Sequence, residues 1–273
     1  MQLHELEPSA ELRQLIKSFW HLSLDLGEKP ADFEVLPDGY AEIIFYFGSA
    51  EGLTLEVNGP RLQSPFLTGL LDKPVRFVGS GRLDVIGIKC FPWAVFEMLG
   101  LPSGQGGVQL VPHPMAQLQA PLQVLVQAGR VAEALAEVEH YFRAAWPRAV
   151  AGDELPGKAG TAMRAANGTL PVRKVAATVH ATVRTLERRF KQAAGLTVKD
   201  VSALMRFEQV RDHLWQDPDV SLAGLAHELG YADQSHLGRE FRRYSGTTPA
   251  AFARQVRQTK HTISHDFVAF VLT

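Results

Sequence analysis

Two short runs carry side chains suited to reading a nucleic acid. TVRTLERRFK, residues 182–191, spaces Arg184, Glu187, Arg188 and Lys191 three and four apart; QSHLGREFRR, residues 234–243, offers Gln234, Ser235, Arg239, Arg242 and Arg243. On a helix, Leu186 and Phe190, or Leu237 and Phe241, take one face and leave the polar sets on the other. An α-helix fits the major groove of B-DNA, where Arg pairs bidentately with guanine and Gln with adenine. Glu187 suits either a cytosine amine or the task of orienting Arg188. Thr182, Arg189 and Arg243 stand near helix ends and suit phosphate, a contact that positions without specifying. Arginine-rich amphipathic helices also occur as plainly solvated faces, so the elements around these runs have to decide.

Those elements form an internal repeat. VAATVHATVRTLERRFKQAAGLT, residues 175–197, lies over LAGLAHELGYADQSHLGREFRRYSGTT, residues 222–248. Ala176 matches Ala226 fifty residues on, and Leu186, Phe190, Gly195 and Thr197 match Leu237, Phe241, Gly246 and Thr248 fifty-one on. Each copy reads as a short helix, a tight turn and a second helix, with a small residue where the helices cross and, in the second copy, Gly230 to end the first helix. Helical repeat proteins stack many such pairs; here there are two, and both arginine clusters fall on the second helix of their copy.

Charge agrees with that placement. The formal net charge is −1, yet residues 158–262 hold 17 Lys and Arg against 9 Asp and Glu, a surplus of eight. A neutral chain with one basic end suits docking on a polyanion through one domain.

The remainder of the 273 residues reads differently. Residues 1–112 alternate Gly and Pro punctuation with strand-like runs: LPDGYAEIIFYFG, LEVNGPRL with an Asn-Gly turn, and GRLDVIGIKCF followed by a short helical WAVFEML. The expected fold is α+β: a β-rich N-terminal domain (small sheet or barrel) at 1–112 and a helical connector at 113–150. An all-α domain follows at 158–260, then an apolar tail at 261–273. The Pro- and Gly-interrupted PRAVAGDELPG, starting at Pro147, reads as a linker, so a fragment from Pro156 is expected to fold alone. The tail's FVAFVL reads as a strand that must be covered. The apolar runs are too short to span a bilayer, and MQLHELEPSAELRQLIKSF is not a signal peptide, so the cytoplasm is the expected compartment. A lone Cys90 forms no internal disulfide and suits a reducing compartment; set among apolar neighbours, it reads as buried and structural.

The span from about 158 to 256 resembles the double helix-turn-helix domain of the AraC/XylS family of bacterial transcription regulators. The second copy carries the pattern in Leu225-Ala226, Leu229-Gly230-Tyr231, Gln234-Ser235, Leu237, Arg239, Phe241, Gly246, Thr248-Pro249 and Phe252. The first carries it in Val175-Ala176, Thr182, Arg184, Leu186, Arg188, Phe190 and Gly195, with Arg206, Val210 and Leu214 on the helix between them. The resemblance implies a sequence-specific regulator that places two helices in successive major grooves of double-stranded operator DNA. It also implies an N-terminal domain that answers a small-molecule effector or forms a homodimer, and RNA polymerase as a partner if the protein activates. Three positions depart from the pattern. His180 stands at a usual Gly, Val198 at a frequent Pro, and Ala232 at a common capping Ser, which leaves Asp233 as the cap.

An alternative class joins a DNA-binding domain to a catalytic one. Ada-type repair proteins need clustered thiolates to hold zinc and accept a methyl group, and one cysteine does not supply them. G-x-S-x-G and H-E-x-x-H motifs are absent, and PSGQGGVQL is no phosphate-cradling loop. No H-x-H pair offers a cupin-type metal site, and His261 and His265 lack a third ligand. The reading is therefore a non-enzyme with neither cofactor nor metal. Trp93, Phe96 and Tyr46 remain candidates to line an effector pocket, although core packing suits them equally, and the resemblance of the N-terminal part to domains found beside this module names no ligand.

Overall fold

The protein is seen in a computed structural model that describes residues 2–48, 52–55, 59–99, 107–110, 113–145, 154–259 and 270–272. Packing divides it into two compact units. One holds Met1–Phe33, Tyr40–Gly69 and Arg76–Asp153; the other holds Glu34–Gly39, Leu70–Val75 and Glu154–Thr273.

The first unit is built on an antiparallel sheet. Its strands are β1 (Gln2–Leu6), β2 (Ile16–Asp25), β4 (Ala41–Gly48), β5 (Phe66–Thr68), β7 (Arg82–Cys90) and β8 (Val108–Leu110), in the order β1-β2-β7-β4-β5-β8. Strands β3 (Ala31–Val35) and β6 (Val75–Gly79) neighbour each other in a smaller sheet. The central strands read AEIIFYFG and RLDVIGIKC and are buried on both faces, so the alternation expected of a half-solvated strand is missing. Register puts Phe19 opposite Ile88 and Ile88 opposite Ile43, with Ile86 between His21 and Phe45. On the other face Trp20 lies flat on Gly87, where an added Cβ would come within 2.2 Å of the indole. Only glycine admits that approach.

Helix α1 (Pro92–Met98) follows β7, and α2 (Gln119–Gln127) and α3 (Val131–Ala145) come after β8. Leu122, Val126, Leu135, Val138 and Phe142 of α2 and α3 join Phe19, Ile43, Phe45, Ile86 and Ile88 in one core. Residues read as a connector therefore complete the sheet's own core. Cys90 is fully buried there, and burial raises its thiol well above the ordinary value. Asn58 of the expected Asn-Gly turn falls outside the described residues.

The second unit is helical: α4 (Glu154–Ala165), α5 (Val172–Thr178), α6 (Val183–Ala194), α7 (Val198–Gln216), α8 (Leu222–Glu228), α9 (Gln234–Ser245) and α10 (Pro249–Thr259). The part of the expected linker from Glu154 onward is the first turn of α4, because Pro156 sits where a helix has no internal N–H bond to lose. Helix α7 is the hub, with eleven buried residues. Phe207 packs on Phe241 and Tyr244, at ring separations of 5.1 and 5.4 Å. Arg206 donates to both oxygens of Glu240 on α9 (2.9 and 3.1 Å) and to the Gly168 carbonyl, and lies over the Tyr231 ring.

Two segments from the N-terminal half of the sequence belong to this unit. Arg211, 5% exposed, donates to the Pro37 carbonyl at 3.2 Å, and Arg164 donates to the Gly39 carbonyl at 3.0 Å. Glu208 stands 3.8 Å from Arg164 with 15% of its side chain exposed; burial, opposed by Arg211 and Arg164, pushes its carboxyl up to about 7. A fragment starting at Pro156 thus lacks two residues of α4 and both segments. Of the apolar tail, Phe270–Leu272 form a short strand, β9, while residues 260–269 lie outside the described ones. No helix among the described residues is long and apolar enough to cross a membrane.

Candidate nucleic-acid interface

Each copy of the repeat folds as a helix-turn-helix, α5–α6 and α8–α9. Leu186, Phe190, Leu237 and Phe241 are no more than 1% exposed, so the apolar stripe of each second helix faces inward as its spacing requires. The turns close by the same hydrogen bond: the Ala181 amide donates to the Ala176 carbonyl and the Tyr231 amide to the Ala226 carbonyl, both at 2.9 Å. This six-residue closure needs a left-handed residue just before its donor. Gly230 fills that place with φ 71° and His180 with φ 52°, so the unusual His keeps the turn in a conformation that glycine prefers.

The caps repeat as well. Thr182 accepts from the Thr185 amide at 3.1 Å, and Asp233 from the His236 amide at 2.7 Å, confirming Asp233 rather than Ala232 as the cap of α9. Gly195 and Gly246 end the two helices at φ 79° and 72°. Thr197 and Thr248 then accept from the third amide onward, of Asp200 and Ala251, to start α7 and α10.

With the stripes inward, Arg184, Arg188 and Lys191 of α6 are exposed, and so are Gln234, Ser235, Arg239 and Arg242 of α9. Thr182 is exposed at the start of α6 with its hydroxyl engaged in the cap. Arg189 is only partly exposed. Arg243 is exposed, lies over the Tyr244 ring and approaches Asp200 at 3.7 Å. Glu187 is the member of the set that turns inward: its carboxylate accepts from the Val198 amide at 3.1 Å, at the first residue of α7. Val198 is fully buried, so this amide has no water to turn to, and a carboxylate at a helix N-terminus is favoured by the dipole as well. Sequence reasoning weighed Glu187 only against DNA and Arg188. The available signal was Val198 itself, a residue with an N–H where the second copy has Pro249 and needs no acceptor.

Elsewhere, a cleft of about 470 Å³ in the first unit is lined by Tyr46, Arg61, Gln63, Ser64, Gln119 and Gln123, among others. The Gln119 amide spans it, donating to the Tyr46 carbonyl and accepting from Ser64. Trp93 stacks instead on Phe91 at 5.1 Å, and the Phe96 side chain lies outside the described set.

Paired helix-turn-helix units of common cap geometry, each presenting a basic second helix, define a DNA-binding domain. A family described as "Helix-turn-helix domain" matches residues 175–255, within the part that carries both units. The match agrees with the resemblance of this span to the double helix-turn-helix domain of the AraC/XylS family. Residues 4–112 match a domain of unknown function, DUF6597. Among curated relatives, the HTH-type transcriptional activator RhaS of Escherichia fergusonii is 37% identical over 76 residues, 28% of this chain and 26% of the relative. RhaS of Klebsiella pneumoniae is 33% identical over 90 residues, 33% of this chain and 31% of the relative. The chain thus spans less than a third of the length of these relatives. Among solved structures, the DNA-binding domain of AdpA in complex with a target DNA is 25% identical, covering 41% of this chain and all of that one, with a TM-score of 0.37. ToxT from Vibrio cholerae O395 is 9% identical, covering 86% of this chain and 97% of that one, with a TM-score of 0.45.

Proposed function

We propose that the chain is a sequence-specific regulator of transcription that binds double-stranded DNA through α6 and α9. The two helices enter successive major grooves, roughly one helical turn or ~10 base pairs apart. The observation that carries this reading is the repeated cap-and-turn geometry, which leaves arginines on the outward face of the second helix in both copies. Arg184 and Arg188 on α6, and Gln234, Ser235, Arg239 and Arg242 on α9, reach base edges; Thr182, Lys191 and Arg243 reach phosphate. Glu187 serves by holding α7 to α6 rather than by touching a base. The likeness to RhaS, described as a transcriptional activator, supports the regulatory class and makes RNA polymerase the partner to test.

The first unit serves as the sensing or dimerising part, and its polar cleft is the place for a small effector. A domain boundary near residue 150 and a cytoplasmic site of action complete the reading. An Ada-like nucleophile finds no support, since Cys90 is buried and its thiol is held protonated.

Selection of bound duplexes from a random library, with and without a metabolite mixture, tests the whole. Two preferred half-sites are expected. Arg239→Ala then costs about 1–3 kcal/mol at one base pair, and Arg188→Ala does the same about one turn away. Equal weakening on all sequences makes either arginine a phosphate contact; no selected sequence at all removes the reading.

A further inference from the structure

Gly238 is in the middle of α9, on the ridge that runs from Gln234 to Arg242 at four-residue intervals and beside Ser235. Glycine in a helix interior destabilises it relative to Ala. Three ordinary reasons to keep one there are missing. Gly238 is not among the residues held at positive φ. An added Cβ meets no described atom within 4 Å, so no neighbour requires its absence. Nor does it serve the following helix: its counterpart in the first copy, Glu187, holds the Val198 amide, whereas Pro249 has no N–H to hold. What the missing side chain leaves is bare backbone in the centre of a face otherwise made of Gln234, Ser235, Arg239 and Arg242, all exposed.

Resting on the DNA-binding reading above, we propose that Gly238 is a specificity-determining residue, the point where the floor of the major groove comes closest to α9. A helix with its side chains is about 10–12 Å across and the groove about 12 Å wide. Removing one central side chain lets the axis sit deeper. Gln234 and Arg239 then meet base edges with their polar ends instead of stopping short at the rim. The occupant is therefore duplex DNA in B-form, and the base pair under residue 238 is read by the space it fills.

The experiment uses the full chain, the duplex it selects, and Gly238→Ala and Gly238→Leu. Thermal unfolding of Gly238→Ala should rise by a few degrees, since an unstrained alanine suits a helix better. Affinity for the selected duplex should fall roughly tenfold for Leu and less for Ala, and library selection with Gly238→Leu should change preference at the base pairs facing α9 alone. Stability that rises while affinity and preference stay those of the wild type overturns the inference and leaves Gly238 incidental. Loss that is equal on every sequence assigns the residue to general fit, and overturns it too. Should the wild-type chain select no duplex, the functional reading fails first and this inference with it; a wild type that selects while both variants match it fails the inference alone.

Discussion

Val198 and Pro249 open α7 and α10 at equivalent places, and around them the two helix-turn-helix copies diverge. In the first copy the buried Val198 amide needs an acceptor and takes the Glu187 carboxylate. In the second there is no amide to satisfy, and the position fifty-one residues beyond Glu187 is the glycine of α9. A side chain on the outer helix is thus committed to the protein in one copy and released in the other by a single backbone donor. The turns differ in the same sense: one shape is held at φ 52° by His180 and at φ 71° by Gly230. Copies with one geometry need not have the same freedom to read DNA. Which residues a repeat can devote to recognition depends on what its own backbone still requires.

The largest expected effect would level the two copies together, because it acts through α7. The Glu208 carboxyl is raised to about 7 from an ordinary 4.5, so the folded chain binds a proton that the unfolded chain has already released. Its contribution is whole below about 4.5 and is lost as pH climbs through 7, a fall on the order of 3 kcal/mol. Glu208→Gln should flatten that slope in denaturant titrations across this range. The groups facing Glu208 are Arg164, Arg211, Asp38 and Asp212. A wild-type slope that survives in Glu208→Gln assigns the dependence to other groups.

A smaller effect separates the copies. Glu187→Ala leaves a buried amide without its acceptor and should cost about 1–2 kcal/mol. In a Val198→Pro background the same change should cost little, since no donor remains. A double-mutant cycle by chemical denaturation reads the coupling directly, and equal costs in both backgrounds would separate the carboxylate's role from the amide. The smallest effect is a gain. His180→Gly relieves a left-handed β-carbon and should stabilise the chain by about 1 kcal/mol, while the reverse change at Gly230 should cost a similar amount. A loss on His180→Gly would mean that the imidazole has a role of its own.

The second unit was legible to the extent that its signals are local. Thr182, Asp233, Gly195 and Gly246 lie within a turn of the amides and carbonyls they satisfy, so spacing alone found the helices and their outward faces. The start of α4 was missed because Pro156 and Gly157 read as breakers where a first turn tolerates both. In the first unit the strands were readable as apolar runs, but not that α2 and α3 finish their core. An amphipathic helix does not name the surface it covers. The bond from the Val198 amide to Glu187 was not legible because the donor belongs to another helix. Arg211 was unreadable for the same reason in stronger form, since its acceptor is 174 positions away and is a backbone carbonyl that carries no side-chain signature.

That last contact bears on how such a protein could have been assembled from parts. Domain shuffling moves contiguous stretches of gene, and the DNA-binding module looks like one such stretch. The carbonyls that answer Arg164 and Arg211 come from a six-residue segment encoded upstream, among the codons of the sheet. A module transplanted behind a different N-terminal domain would arrive with two arginines lacking those acceptors. Either the new neighbour supplies carbonyls at the same places, or the arginines must change with the move. Heredity of this fold is therefore written in two separated passages, and partnership between them is a constraint on which N-terminal domains the module can acquire.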